Sequence, residues 1–384
     1  MAEAPVMGEV VAEEHEHEEE VIVVGAGVSG LATAACLSLR GVPSCLVLDP
    51  RCRTRRTPTY LPRDDFVRYL DAYATRFGVR SRLRREVRAA RFDEARGRWL
   101  VDAADLTTGR AERYVARYLV AAAGENDERV VPEVPGMETF PGKAMHAADY
   151  RCAEGFKGKS ALVVGCGNSG MEIAYDLADS GVATSIVVRG EVHLMTRWIL
   201  NVATSPLLIR YLPLWAIDNL VLLLCYLVFG DTSRYGLRRP ATGPFSMRLL
   251  RPDVFPVLDV GTFSKIKSDE IRVLPAITRM HGSDVEFADG KRHAFDAIVF
   301  ATGYRSTTKN DDGLIGDDGM AARRSPNHWK GENGLYCAGM NRRGIYGSGV
   351  DAELIAGDIS RQRESKLQPQ DEQRDVAAPV PSDA

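Results

Sequence analysis

Two short glycine runs carry the chemistry this sequence offers. Gly25-Ala26-Gly27-Val28-Ser29-Gly30 and Gly165-Cys166-Gly167-Asn168-Ser169-Gly170 both read G-x-G-x-x-G. In such a run the first glycine permits a tight turn. The second leaves room for a pyrophosphate to approach the backbone, and the third lets a helix pack against a strand. Asp49 and Arg189 each stand 24 positions after the first glycine of their run. A carboxylate in that place accepts hydrogen bonds from a ribose and repels a 2′-phosphate, whereas an arginine makes a charge-assisted, bidentate fit to that phosphate. The first run is therefore expected to take FAD and the second NADPH rather than NADH. Arg197 reads equally as a second phosphate contact or a surface arginine.

The elements that must position these residues can be read around them. Val21 to Val24 is a β-branched apolar run without polar alternation, the pattern of a strand buried on both faces. Leu31 to Leu39 reads as a helix ended at Gly41, and Ser44 to Leu48 as the next strand. The second run repeats this order, with a strand at Ala161 to Val164, a helix at Met171 to Asp179 and a strand at Ser185 to Val188. A helix N-terminus presents free N–H groups and the positive end of its dipole to a phosphate. The expected fold is α/β with two Rossmann-like dinucleotide-binding domains, the NADPH domain inserted into the FAD domain. The FAD domain is expected over 21–150 plus 291–360 and the NADPH domain over 151–290.

Further along, Asp65 to Phe77 has Phe66, Tyr69, Leu70, Tyr73 and Phe77 at helical spacing, an amphipathic helix whose aromatics read as core. Residues 86–103 and 112–120 read as strands of a β-insertion, and Tyr118 to Gly124 as a strand returning to the cofactor. Residues 126–160 read as connecting chain, and on physics alone His146 within them is a hydrogen-bonded loop histidine. Phe295 to Gly303 and Leu335 to Gly339 read as strands returning to the first domain, followed by a last helix at Gly347 to Ile359. That helix N-terminus is expected near the flavin pyrimidine, where it would favour the reduced anion. Residues 198–230 are strongly apolar, and three readings stay open: a lid or substrate wall, a peripheral membrane contact, and a buried helix. The unbroken run Leu220 to Phe229 is too short to span a bilayer.

Composition excludes several classes. A net charge of −3 gives no sign of a nucleic-acid-binding surface. None of the seven cysteines forms a C-x-x-C, which argues for reduced thiols in a cytoplasmic protein and against a dithiol redox centre or a metal site. Residues 1–20 are acidic and lack an apolar signal core; they and residues 361–384 read as disordered tails.

The two fingerprints, the F-x-G-x-x-x-H-x-x-x-Y at Phe140, Gly142, His146 and Tyr150, and Ala301-Thr302-Gly303 together resemble the class B flavin-containing monooxygenases. The strings GCGNSGMEIAYDL (165–177), RYGLRRP (234–240), PVLDVGT (256–262), FATGY (300–304) and WKGENGLYCAG (329–339) resemble the plant YUCCA enzymes of auxin biosynthesis. That resemblance implies oxidative decarboxylation of indole-3-pyruvate to indole-3-acetate with O₂ through a flavin C4a-peroxide. Catalysis would then need no side-chain nucleophile, and the partners would be a small 2-keto acid and O₂. It also implies that Phe140, Gly142, His146 and Tyr150 couple the two domains. Location in the cytoplasm or peripherally on the endoplasmic reticulum follows from the same reading.

Other functions compete. Family members carry several tens of residues after the position of Asp49, where this chain has a short basic loop to Tyr60. A non-catalytic dinucleotide-binding relative is thus one alternative, and an N- or S-oxygenating flavin monooxygenase another. Of two-dinucleotide enzymes, the dithiol-disulfide reductases are disfavoured by the missing C-x-x-C.

Overall fold

The computed structural model describes residues 16–49, 63–124, 126–251, 254–306, 314–316, 320–323, 326–340 and 344–371. The basic loop after Asp49 therefore lies outside the described residues. The chain divides into two compact units, Met1–Asp127 with Ser306–Ala384, and Glu128–Arg305.

The first unit is built on a seven-stranded sheet. Its strands are β1 (Glu16–Val24), β2 (Cys45–Asp49), β3 (Arg80–Leu83), β4 (Arg85–Asp93), β5 (Arg98–Asp105) and β6 (Ala111–Ala121), in the order β3-β2-β1-β6-β5-β4. The strand Leu335–Cys337 pairs in parallel with the second half of β6. β3, β2, β1 and β6 are parallel, whereas β4, β5 and β6 form the antiparallel insertion. Val21, Ile22 and Val23 are fully buried, as a strand covered on both faces requires. Helix α1 (Val28–Leu39) packs Leu31, Ala34 and Leu37 into this core. Helix α2 (Arg63–Arg76) buries Leu70 and packs Phe66 and Tyr73 against the same cluster, but Tyr69 is exposed rather than core.

Part of each stretch expected to be a tail is regular structure. Residues 16–20 are not tail but the start of β1, paired with Arg113–Ala116 of β6. Their acids meet arginines distant in sequence: Glu16 with Arg96 at 3.3 Å, Glu19 with Arg80 at 2.9 Å and Glu20 with Arg363 at 2.7 Å. At the other end, a helix expected to finish at Ile359 runs over Gly344–Asp371. Gln362 donates to the Tyr336 hydroxyl and to Asp358, and Arg363 donates to the Gly41 carbonyl, which holds the helix beyond Arg361.

The second unit repeats the parallel half of the first. Strands β7 (Glu128–Arg129), β8 (Lys143–His146), β9 (Ser160–Val164) and β10 (Ala183–Val187) come first, with helix α3 (Asn168–Asp179). The short pair β11 (Leu194–Met195) and β12 (Val257–Leu258) brackets α4 (Arg197–Ala203), α5 (Pro206–Tyr211), α6 (Leu214–Phe229) and α7 (Pro244–Leu250). After α8 (Thr262–Lys267) come β13 (Ile271–Leu274), the antiparallel meander β14 (Ile277–His281), β15 (Asp284–Phe287) and β16 (Arg292–Ala294), then β17 (Ala297–Phe300) and β18 (Tyr304–Arg305). The parallel sheet has the order β13-β10-β9-β17-β8, and β7 pairs with β18.

This topology moves the expected domain limits. Residues 143–146 and 297–300 are strands of the second sheet, each hydrogen-bonded to its neighbours in register. Residues 128–150 and 291–305 therefore lie in the second unit, and Phe295 to Gly303 completes that unit instead of returning to the first. Leu335–Cys337 does join the first sheet.

Candidate functional site

Each glycine run sits where a parallel strand hands over to a helix. In the first unit the run leaves β1, whose neighbours are β2 and β6, and opens α1. Gly25 has φ +110°, and a Cβ there would stand 2.3 Å from the Ala122 carbonyl oxygen at the end of β6. A Cβ on Gly30 would stand 1.9 Å from the Gly25 carbonyl oxygen. Gly27 differs: no described atom lies within 4 Å of the place its Cβ would occupy. Gly27 is also the N-cap of α1, and no side chain there accepts from the free N–H groups of the first turn.

The second run reproduces this geometry. Gly165 also has φ +110°, with its absent Cβ 2.5 Å from the Ala301 carbonyl oxygen at the end of β17. Gly170 would place a Cβ 1.9 Å from the Gly165 carbonyl oxygen, and Gly167, the N-cap of α3, again faces space free of described atoms. In both cradles the outer glycines are required by packing and the middle one by whatever approaches. An open concavity lined by uncapped amides fits a pyrophosphate, and any side chain on Gly27 or Gly167 would fill it. The two cradles are thus chemically equivalent up to the helix.

Beyond the helix they part. Asp49 is the last residue of β2. Arg189 lies two residues past the end of β10, exposed, and no described acid pairs with it. In the first run Ala26 and Gly30 are buried, and Val28 opens α1. Ser29 Oγ bonds Ser348 Oγ at 2.8 Å. In the second run the Asn168 side chain is turned to the protein, its Oδ1 accepting from the Leu258 N–H at 2.8 Å, and Ser169 follows it in the first turn of α3. Cys166 is half-buried, with its thiol pushed up by that burial. The glycine spacing could not reveal Ala122 and Ala301, the carbonyls that make Gly25 and Gly165 obligatory, because they are separated from the runs by a whole sheet crossover.

The residues Phe140, Gly142, His146 and Tyr150 make their described contacts within the second unit. His146 is the last residue of β8 and buried, not a loop residue. Its Nε2 donates to the Gly303 carbonyl at 3.1 Å and its Nδ1 accepts from the Ala148 N–H. Tyr150 donates to Asp176 on α3 at 2.5 Å, and burial followed by that bond raises its hydroxyl above the usual tyrosine range. The Thr302 hydroxyl donates to the Val130 carbonyl. These bonds fix the turn after β17 against β8 and the segment after β7.

The apolar stretch 198–230 forms α4, α5 and α6. Only part of it is buried: Ile199, Ile217, Val221 and Cys225 face the core. Trp198, Leu207, Tyr211, Trp215, Leu223 and Leu227 are exposed, Tyr211 and Leu227 to 70% each. Asp218, which interrupts the apolar run, is buried and accepts from the N–H groups of Phe245 and Ser246 at the start of α7. An apolar cavity of about 350 Å³ opens among these helices, lined by Ile209, Leu214, Ile217 and Phe245. No described helix is long and apolar enough to cross a membrane.

Two dinucleotide cradles of one design, on two α/β units, define a flavoprotein-type oxidoreductase architecture. Solved structures share it: a flavin-containing monooxygenase from Stenotrophomonas maltophilia has a TM-score of 0.63 at 18% identity over 91% of this chain and 99% of that one. Cyclohexanone monooxygenase from Rhodococcus sp. Phi1, bound to NADP⁺, has a TM-score of 0.66 at 16% identity over 91% and 85%. A family model described as pyridine nucleotide-disulphide oxidoreductase matches residues 50–206. Among curated proteins, the probable indole-3-pyruvate monooxygenase YUCCA9 of Arabidopsis thaliana is 41% identical over 88% of both chains. Indole-3-pyruvate monooxygenase YUCCA1 of Oryza sativa subsp. japonica is 41% identical over 88% of this chain and 90% of its own. The chain belongs to this YUCCA family of monooxygenases.

Proposed function

We propose that the chain is an FAD- and NADPH-dependent monooxygenase that converts indole-3-pyruvate, O₂, NADPH and a proton to indole-3-acetate, CO₂, water and NADP⁺. The observation that carries this reading is the duplicated cradle followed by opposite charges, on a chain of this family. The amides opening α1 and the residues Gly25 to Gly30 would hold the FAD pyrophosphate, with Asp49 placed for the ribose. Those opening α3 and the residues Gly165 to Gly170 would hold the NADPH pyrophosphate, with Arg189 on the 2′-phosphate. When bound, the flavin supplies the redox and oxygen chemistry. The chain's own residues bind, orient and exclude water, and no covalent catalytic side chain is required.

The visible absorption spectrum of the purified protein tests the reading. A flavin spectrum that bleaches on anaerobic NADPH addition, followed by formation of indole-3-acetate and CO₂ in air, supports it. A protein that stays colourless with added FAD overturns it and favours the non-catalytic alternative. N- or S-oxygenation with no decarboxylation would reassign the substrate.

A peripheral membrane contact through residues 198–230, on a surface such as that of the endoplasmic reticulum, belongs to the same proposal. The exposed tryptophans and leucines of α4 to α6 support it. So does charge: residues 197–251 hold seven arginines against two aspartates in a chain of net charge −3. Exposed aromatic and leucine side chains on an arginine-rich segment suit interfacial binding to anionic lipid. Co-sedimentation with vesicles containing phosphatidylserine, and no pelleting with neutral vesicles, is the expected result. Equal absence from both pellets would rule the contact out.

A further inference from the structure

A buried acid–histidine pair stands behind the first cradle, and neither packing nor the proposed reaction explains why it is polar. Asp351, on the last helix, is fully buried, and His328 is 3% exposed. Asp351 Oδ1 lies 2.7 Å from His328 Nε2, and its Oδ2 accepts from the Gly339 N–H at 2.9 Å. Gly339 ends the segment that follows the strand Leu335–Cys337 and has φ +75°. A Cβ on Gly339 would stand 1.9 Å from Ser29 Oγ and 3.2 Å from Ser348 Oγ. Those two hydroxyls bond each other at 2.8 Å. Ser29 lies inside the first glycine run and in the first turn of α1, whereas Ser348 and Asp351 lie on the last helix.

The bonds form one chain of contacts, from His328 through Asp351 to the Gly339 amide, and from the Gly339 backbone across to Ser29. A buried carboxylate costs free energy unless its oxygens are satisfied, so it is kept where its directional bonds fix a geometry. Here the fixed geometry is that of a backbone corner at Gly339 packed against Ser29, inside the cradle. We infer that His328 and Asp351 are positioning residues for the first dinucleotide site: with the Ser348–Ser29 bond they set the first turn of α1, and so the affinity of its amides for the flavin pyrophosphate. This rests on the proposal that the first cradle takes FAD.

The test is titration of the flavin-stripped full-length protein with FAD, followed by flavin fluorescence. Binding of 2′,5′-ADP, a probe for the second cradle, is measured on the same samples. Asp351→Ala and His328→Ala are expected to raise the Kd for FAD at least tenfold and leave 2′,5′-ADP binding within twofold. His328→Gln, which keeps a donor toward Asp351, should recover most of that loss, a recovery that packing alone would not give. Ser348→Ala removes one buried hydroxyl at the end of the network nearest Ser29 and is expected to raise the Kd about threefold. Should the Asp351 and His328 variants fail to fold, Ser348→Ala decides. An FAD Kd within 1.5-fold of the parent in folded Ser348→Ala overturns the inference, as does an equal loss of both ligands in the other variants. A parent protein that itself binds no FAD overturns the functional reading and this inference with it, an outcome distinct from a parent that binds and variants that do not differ.

Discussion

Gly27 and Gly30 are three positions apart and should fail in different ways when given a side chain. Around Gly27 there is room and an ordinary φ of −77°. Gly27→Val is therefore expected to fold, with a melting temperature within about 2 °C of the parent, but to be purified without flavin. At Gly30 the new Cβ meets a backbone oxygen at 1.9 Å. Gly30→Ala is expected to destabilise the fold itself, by the roughly 1–3 kcal/mol that forced overpacking costs, and so to lower the melting temperature. Thermal melts alongside absorbance at the flavin band separate the two outcomes. Arg189 offers the matching test in the second unit. It is exposed and unpaired among the described residues, so its removal leaves no buried charge and should not disturb the fold. Loss of a charge-assisted bond to a phosphate is worth about 1.5–3 kcal/mol, which is about a tenfold rise or more in KM for NADPH. Arg189→Ala should leave the KM for NADH within twofold, and a parallel change for both cofactors would refute the assignment.

At the scale of elements, the parts legible in the sequence are those whose signals are local. Apart from the start of β1, the strand–glycine–helix–strand order around Val21 to Asp49 and Ala161 to Val188 was readable to within three residues, because apolar runs and glycines mark it directly. The acidic start of β1 was not. Glu16, Glu19 and Glu20 look like a solvated run until Arg96, Arg80 and Arg363 are brought beside them by the fold. The end of the last helix was missed for the same reason, since Arg363 and Gln362 reach partners far away in sequence. Assignment of Phe295 to Gly303 to a unit depended on which sheet the strand enters, and a fully apolar strand gives no hint of its neighbours. The last helix also supports a stability prediction. Asp358 accepts from Lys330, the buried Tyr336 hydroxyl and Gln362. Burial alone would raise its carboxyl, but those bonds, led by Lys330, hold it below the usual aspartate range. Asp358→Ala leaves the buried Tyr336 O–H without its acceptor and should cost about 1–3 kcal/mol in urea unfolding. Tyr336→Phe with Asp358→Ala should cost less than the sum of the single changes.

For the molecule as a whole, the thiols set a response to alkali. Burial pushes Cys337 up to about 12 and Cys225 up to about 11, from an ordinary value of 9.0. Both folded values lie above the unfolded one. Their contribution to stability is therefore complete below pH 9 and is lost as pH rises through 11 and 12. Melting temperature should hold level from pH 7 to 9 and fall above that. Brief alkylation at pH 8 should label exposed Cys152 and spare Cys225 and Cys337, read by peptide mass spectrometry. The second unit has a further property, which comes from how it begins and ends. It is a single continuous segment whose first and last strands, β7 and β18, lie side by side: Tyr304 pairs with Arg129, and Arg305 with Glu128. Entry and exit of the segment are thus clasped together like the two ends of a cassette. A gene fragment encoding residues 128–305 could be lifted out or exchanged for that of a relative with the host reading frame rejoined by a short splice; under the proposed assignment of NADPH to the second cradle, that would make nucleotide choice a transplantable trait.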